Sequence, residues 1–180
     1  MKKTFIATLF ITMFFLSGCN FNLSNLDVQK LNNKASEYMQ SGEYDKAASR
    51  LEAIIELNPD LPETYYNLGI AYYNMKEYEK ATDALGNALL RNPEFADAYF
   101  SRAVAFEEWA FSSNENENEK ENKTNEENIK EKEIKKEYLK EAKSDYQNYL
   151  KFKSDAEDKE DVIKKIEQID KDLSEDNTEE

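Results

Sequence analysis

A sequence repeat with a period of 34 residues constrains the fold of this 180-residue chain more than any other feature. The segments GEYDKAASRLEAIIELNPDLPE (42–63) and KEYEKATDALGNALLRNPEFAD (76–97) align from end to end. The shared positions include Tyr44 and Tyr78, Ala47 and Ala81, Leu51 and Leu85, and Pro59 and Pro93. A period of this length is typical of an array of supersecondary units that bury their apolar faces against one another. Glycine and proline are scarce in the chain, which leaves room for long helices.

The repeats resemble the tetratricopeptide repeat (TPR), a pair of antiparallel helices that cross at small residues. The segment 62–95 matches best, with motif residues Tyr65, Leu68, Gly69, Tyr72, Ala81, Leu85, Ala88 and Pro93. The segment 28–61 is weaker at its start, where Leu31, Lys34, Ala35 and Tyr38 stand, and recovers the pattern at Ala47, Leu51, Ile54 and Pro59. The resemblance implies an all-α fold, a short TPR solenoid with two complete repeats.

A third repeat (96–154) is interrupted by an insertion. Its first helix has Tyr99, Ala103 and Phe106 at motif positions, although Arg102 replaces the usual leucine. The second helix is delayed by the acidic, low-complexity segment 112–137. It then resumes with Ala142, Tyr146 and Tyr149 at the expected spacing. We expect a flexible loop in the first half of the insertion and a helix from Glu126 onward. The insertion is either a docking segment or low-complexity drift.

A capping helix is predicted after the third repeat, at 155–173. Val162, Ile166, Ile169 and Leu173 form one apolar stripe on an otherwise charged segment. A helix with one apolar face is what a helical array needs to cover its exposed end. We expect the acidic residues 174–180 to be a disordered tail.

The N-terminus has the layout of a secretory signal peptide over residues 1–18. Lys2 and Lys3 precede a run of twelve mostly apolar residues, which is too short for a transmembrane helix. The segment Leu16-Ser17-Gly18-Cys19 resembles the lipobox of bacterial lipoproteins, which implies acylation of Cys19 and cleavage before it. Residues 19–27 would then be a lipidated cysteine and a short tether, at most about 26 Å long when extended. Asn20 after the cysteine favours the outer membrane if the cell has one.

Composition excludes several classes of function. The net charge is −14, and removal of residues 1–18, which hold two lysines and no acid, changes it to −16. Such a chain would be repelled by nucleic acid. There is no histidine, no second cysteine and no glycine-rich phosphate loop. We therefore expect no enzymatic activity, no metal and no cofactor.

The resemblance also implies a concave groove lined by the first helix of each repeat. The inward positions would be Asn32, Ser36 and Met39 in the first repeat, Tyr66, Asn67, Ile70 and Tyr73 in the second, and Phe100, Ser101, Val104 and Glu107 in the third. A protein or peptide partner would bind there, and the nearby Glu63, Asp97 and Glu108 favour a basic or neutral one. The alternative is that Tyr66, Tyr73 and Phe100 pack against neighbouring helices or against the cap.

Two functions remain open from the sequence. The first is a lipid-anchored adaptor or scaffold of the cell envelope that holds a protein partner in the groove. The TPRs that bind chaperone tails clamp a carboxylate with Lys, Arg and Asn. Apart from Asn67, those positions here carry Asn32, Ser36, Asp97 and Ser101, so that ligand is not expected. The second is a surface-exposed lipoprotein whose acidic insertion mediates contacts.

Overall fold

The computed structural model describes residues 19–112 and 124–175, and in these residues the chain forms seven α-helices and no strand. The helices are α1 (Cys19–Gln40), α2 (Tyr44–Leu57), α3 (Pro62–Asn74), α4 (Tyr78–Arg91), α5 (Ala96–Ser112), α6 (Asn125–Phe152) and α7 (Lys159–Glu175). They belong to two compact units, Met1–Asp60 and Leu61–Glu180. The all-α fold expected from the repeat is confirmed.

The first unit contains α1 and α2, which pack as a pair through small and branched residues. Ala35 of α1 and Ala47 and Leu51 of α2 are buried, with at most 2% of their surface exposed. The turn between the helices places Gly42 at a φ of 73°, a conformation that glycine adopts without strain. The motif alanines thus lie where the two helices approach each other.

Helix α1 begins earlier than the repeat boundary at residue 28 predicts. The residues after Cys19, which the sequence treats as a tether, are helical and continuous with the repeat. The reason is local, since 19–40 contains neither glycine nor proline to stop a helix. At 1.5 Å per residue the eight residues 20–27 span about 12 Å rather than 26 Å.

The second unit begins with α3 and α4, which cross at Gly69. A Cβ atom built on Gly69 would lie 2.5 Å from Leu85 Cγ and 3.2 Å from the carbonyl oxygen of Ala81. No side chain fits at that distance, so the close crossing requires glycine. This is the role that the TPR resemblance implies for Gly69 and Ala81.

Helices α2 and α4 end at equivalent asparagines. Asn58 and Asn92 have φ values of −148° and −135° with ψ near 90°, and each is followed by a proline. A proline disfavours the helical conformation of the residue before it, which explains the termination. The backbone N–H of each asparagine still donates to the last turn of its helix, from Asn58 to Ile54 O at 2.8 Å and from Asn92 to Ala88 O at 2.9 Å.

The two halves of the interrupted repeat, α5 and α6, share one apolar core with α7. The buried members of this core are Ala103, Ala110, Leu139, Ala142, Tyr146, Tyr149, Ala156, Val162 and Ile169. Helix α6 begins at Asn125 after a capping box, in which Thr124 Oγ1 accepts from the Glu127 amide and Glu127 Oε2 accepts from the Thr124 amide. Its first three turns are largely exposed to solvent.

Helix α7 covers this core with the predicted apolar stripe. Val162 and Ile169 are 1% and 2% exposed, and Ile166 and Leu173 pack at the margin of the core. The helix begins at Lys159, four residues later than predicted, because the segment 153–158 forms turns. The Asp158 carboxylate at the end of this segment accepts a hydrogen bond from Tyr149 Oη at 2.6 Å. A second link joins Lys143 Nζ of α6 to Asp170 Oδ1 at 2.5 Å.

Several sequence predictions fall outside the described residues. These are the signal peptide over 1–18, the first half of the insertion at 113–123 and the end of the tail at 176–180. In the part of the chain that the structure describes, no helix combines the length and the apolar content that crossing a bilayer requires.

Candidate partner-binding surface

Helix α3 has a buried face and a partly exposed face. Tyr65, Leu68 and Gly69 are buried against neighbouring helices. The Tyr65 hydroxyl accepts from Arg91 Nη2 at 2.8 Å, and the same guanidinium lies 3.8 Å from the centre of the Tyr65 ring. The other face of α3 is partly exposed. We call its residues the α3 stripe: Tyr66, Asn67, Ile70 and Tyr73.

Ring contacts hold both tyrosines of the α3 stripe in place. The Tyr66 ring lies 5.0 Å from that of Phe95, and the Tyr73 ring lies 5.9 Å from that of Tyr78. Both pairs are tilted, which is a favourable arrangement for aromatic rings. The tyrosines therefore present area to a partner with little conformational freedom left to lose.

Acidic residues of α5 lie near Tyr73. Burial raises the pKa of the Tyr73 hydroxyl, and the negative charges of Glu108 and Glu107 raise it further. Glu108 is exposed, whereas Glu107 is partly buried. These carboxylates add negative charge beside the α3 stripe.

Part of this negative charge is neutralised by lysines of later helices. Glu107 Oε2 accepts from Tyr146 Oη at 2.7 Å and from Lys165 Nζ at 2.8 Å. Asp97 Oδ1 accepts from Lys153 Nζ at 3.0 Å. The contacts of Tyr146 and Lys165 with Glu107 are not predicted by the sequence pattern. Their only hint was the position of Lys165 three residues after Val162, beside the apolar stripe of α7.

Phe100 and Val104, two predicted groove residues of α5, are partly buried and pack against the core that α5 shares with α6 and α7. The Phe100 ring is 5.1 Å from that of Tyr149 and 5.8 Å from that of Tyr146, and Val104 packs against the same core. This is the packing alternative that the sequence leaves open for Tyr66, Tyr73 and Phe100, and the contact of Tyr73 with Tyr78 of α4 is of the same kind. The cause for Phe100 is the covering of α5 by α6 and α7, which also brings Lys165 to Glu107.

The first-repeat residues of the predicted groove lie in the other unit, on α1. Asn32 and Ser36 are exposed and Met39 is half-buried. Ser36 Oγ accepts from Gln40 Nε2 at 3.3 Å, a bond within the same helix. Their part in a binding surface stays a prediction.

The surface offers little for catalysis or metal binding. Within residues 19–112 and 124–175, no three carboxylate, cysteine or histidine side chains converge in a way that would hold a metal ion. The shifted tyrosine pKa values move upward, which keeps the hydroxyls protonated and makes them weaker nucleophiles.

Comparison with known proteins agrees with the repeat assignment. Family descriptions named "TPR repeat" and "Tetratricopeptide repeat" match residues 35–76 and 62–95. The chain therefore carries TPR repeats over 35–95. A comparison with curated proteins found no significant match.

Solved TPR domains share the fold. The first TPR domain of human RPAP3 is 21% identical with a TM-score of 0.61, and the match covers 82% of this chain and 95% of that one. The second TPR domain of human RPAP3, in complex with an HSP70 peptide, is 16% identical with a TM-score of 0.59 and coverages of 82% and 98%. The Yersinia enterocolitica type III secretion chaperone SycD, in complex with a peptide of the translocator YopD, is 16% identical with a TM-score of 0.58 and coverages of 79% and 91%.

Proposed function

We propose that this protein is a non-catalytic adaptor that binds a segment of a partner protein on the surface formed by the α3 stripe and the carboxylates of α5. The single observation that carries the proposal is the placement of Tyr66 and Tyr73 on a partly exposed face of α3, with their rings held against Phe95 and Tyr78. Aromatic residues held in this way are typical of the anchor points of protein interfaces. The peptide complexes of TPR domains with the same fold support the choice of a peptide-like partner.

The partner segment should be basic or neutral. Glu108 is exposed and its charge helps to raise the pKa of Tyr73, whereas Glu107 is already paired with Lys165. A carboxylate of the partner brought to this site would therefore be repelled chiefly by Glu108. Asn67, which is partly exposed between the two tyrosines, has an amide that pairs with an extended backbone. An acidic chaperone tail is therefore a poor ligand for this chain, although the similar RPAP3 domain is in complex with an HSP70 peptide.

The experiment is a selection of displayed peptides on the purified full chain, followed by affinity measurements on the selected sequences. A Tyr66→Ala, Tyr73→Ala variant should lose at least about ten-fold in affinity, since truncating two interface anchors costs more than about 1 kcal/mol each. Phe111→Ala is the matched control, because Phe111 is an aromatic residue of the same unit, 41% exposed and outside the α3 stripe. Equal binding to the double variant and the control would refute the proposal.

We further propose that the adaptor is anchored to a bacterial envelope membrane by lipid attached to Cys19, at the outer membrane in a Gram-negative cell. The support is the sequence Leu16-Ser17-Gly18-Cys19 behind a short apolar run and two lysines. Helix α1 starts at that residue and continues into the first repeat. In this arrangement partners would be met close to the membrane surface.

A further inference from the structure

A second surface of the unit Leu61–Glu180 is an open cleft of about 750 Å³ between α4 and α5. Its floor is a stripe of α5 formed by Tyr99, Arg102, Phe106 and Trp109. At 3.6 residues per turn, this stripe lies on the face of α5 opposite to Phe100, Val104 and Glu107. The cleft is therefore distinct from the surface that contains the α3 stripe.

The floor of the cleft is fixed by contacts with α6. The Trp109 ring stacks on Tyr138 at 4.1 Å, and the Tyr99 ring stacks on Phe152 at 5.6 Å. Between them the Arg102 guanidinium is held by Asp145. Because these side chains are already ordered, a ligand would bind without the entropy cost of arranging them.

The wall on α4 carries an apolar anchor and an acid. Leu90 is 80% exposed, the highest value among the large apolar side chains of the described residues. Asp83, seven residues or about two helical turns earlier on the same wall, is also exposed. The basic residue that lines the cleft is Arg102, and its charge is already paired with Asp145.

Two further carboxylates act on residues that form or support the floor of the cleft. The charge of Glu141 on α6 acts on both Arg102 and Asp145, and the charge of Glu79 on α4 acts on Tyr138. Asp83 is the carboxylate among the lining residues, and Glu141 and Glu79 add negative charge near the residues that form or support the floor. This pattern is complementary to a ligand with one or two apolar side chains flanked by cations.

We propose that this cleft binds a short basic segment of a partner protein, with its central apolar side chain against Leu90 and the aromatic floor and a flanking Lys or Arg beside Asp83. The floor from Tyr99 to Trp109 is about 15 Å long at 1.5 Å per residue. It therefore accommodates four or five extended residues at about 3.3 Å each.

The test uses three labelled hexapeptides and fluorescence anisotropy with the full chain. The probe is Lys-Lys-Leu-Phe-Lys-Lys. Its charge-matched counterpart replaces Leu-Phe with Ser-Ser, and its charge-reversed counterpart replaces every Lys with Glu. We expect the probe to bind at least about ten-fold more tightly than either counterpart. Leu90→Ala should weaken the probe about five-fold, and Asp83→Asn about three-fold with a loss of that difference at high salt.

The matched control is Leu57→Ala. Leu57 is also an exposed leucine at the end of a helix, 49% exposed, but it lies on α2 in the other unit. It should bind the probe as the wild type does. Equal binding of the probe and the Ser-Ser peptide would show attraction by charge alone and would overturn the proposal. Full binding of the probe by Leu90→Ala would also overturn it. The same holds if the Tyr66→Ala, Tyr73→Ala variant loses the probe while Leu90→Ala retains it. A wild-type dimer in sedimentation that Leu90→Ala dissociates would assign the cleft to a second copy of the chain and would also overturn it.

Discussion

The guanidinium of Arg102 donates two hydrogen bonds to the carboxylate of Asp145, from Nε to Oδ2 at 2.7 Å and from Nη2 to Oδ1 at 2.9 Å. The pair joins α5 to α6 across the insertion. Arg102 stands where the repeat pattern expects leucine, so an ion pair replaces an apolar contact in the third repeat. Burial raises the pKa of Asp145, although the bonds from Arg102 act to lower it. Burial acts to lower the pKa of Arg102, but the bonds to Asp145 outweigh it and the pKa is raised.

The two partners of this ion pair should differ in the cost of their removal. The Asp145 side chain is 3% exposed, whereas that of Arg102 is 23% exposed and lines an open cleft. Arg102→Leu leaves a buried carboxylate without its counter-charge and should lower the free energy of unfolding by about 3 kcal/mol. Asp145→Leu should cost less, because Arg102 can turn toward water. Urea denaturation of both single variants and the double variant measures the coupling. Additive single losses would contradict this account.

Gly69 and Gly86, both within helices, should respond in opposite ways to replacement by alanine. A Cβ on Gly69 would meet Leu85 Cγ at 2.5 Å, so Gly69→Ala should destabilise the protein by about 1–3 kcal/mol through overpacking. A Cβ on Gly86 would meet only Arg102 Nη1, at 3.3 Å. Because alanine favours helix by about 1 kcal/mol over glycine, Gly86→Ala should be neutral or stabilising. Thermal unfolding of the two variants, followed by circular dichroism, decides the matter; equal melting temperatures would speak against the close crossing.

The turns within the first two repeats use different residues in one left-handed conformation. Gly42 has a φ of 73°, and Lys76, 34 residues later, has a φ of 60°. A residue with a Cβ atom is strained there by about 1 kcal/mol or more. Lys76→Gly should therefore raise stability by up to about 1 kcal/mol, and Gly42→Ala should lower it by a similar amount. Chemical denaturation of both variants checks the signs, and a loss of stability in Lys76→Gly would be the contrary result.

The bond from Tyr149 Oη to Asp158 should make stability fall in alkaline solution. Burial, with help from the bond to Asp158, raises the pKa of Tyr149 to about 12, above an ordinary value of 10.0. The neutral hydroxyl is the form that the folded state favours. Its contribution is therefore complete below pH 10 and is lost as the pH rises toward 12.

A Tyr149→Phe variant tests this pH dependence. It should be less stable than the wild type at pH 8 by about 1–2 kcal/mol, since it loses a hydrogen bond to a charged group. Between pH 10 and about 12 its stability should fall less than that of the wild type. Urea midpoints over this range provide the measurement, and parallel curves for the two proteins would rule out the contribution of Tyr149.

Replacing the proposed lipid attachment site should release the protein without unfolding it. In Cys19→Ala no thioether can form, so the chain should move from the membrane fraction to the soluble fraction, and incorporation of a labelled fatty acid should stop. Circular dichroism of the released protein should keep the helical content of the wild type. A matched Ser17→Ala variant should stay in the membrane fraction, because the residue remains small. Retention of Cys19→Ala in the membrane would exclude this anchor.

Much of the fold could be predicted from the sequence because its elements are locally specified. The prolines after α2 and α4 and the alanines at the crossings act on residues close to them in sequence. The 34-residue period then shows that the same local pattern occurs twice. The stripe from Val162 to Leu173 predicted α7 for the same reason. The early start of α1 at Cys19 was missed because a repeat pattern marks where a motif begins, and the helix can extend beyond it.

The sequence also separated Tyr65 from Tyr66 on α3, since neighbouring positions on a helix face different directions. On α5 the same helical periodicity predicts Phe100 and Val104 as groove residues, although α6 and α7 pack over them. A helix after the last repeat is visible in the pattern, but the face that it covers depends on the path of the turn at 153–158. That path rests on contacts such as Tyr149 with Asp158.

The sequence by itself determined the helices of this protein, the repeat and the positions where helices cross, because backbone propensity and side-chain period are properties of neighbouring residues. Only the tertiary structure decided the partners of Arg102 and Glu107. Asp145 is 43 residues from Arg102 and Lys165 is 58 from Glu107, and an intervening insertion sets no fixed spacing between them. Charges so far apart in sequence are paired by the packing of the helices that carry them, and that packing also determines which surfaces remain open.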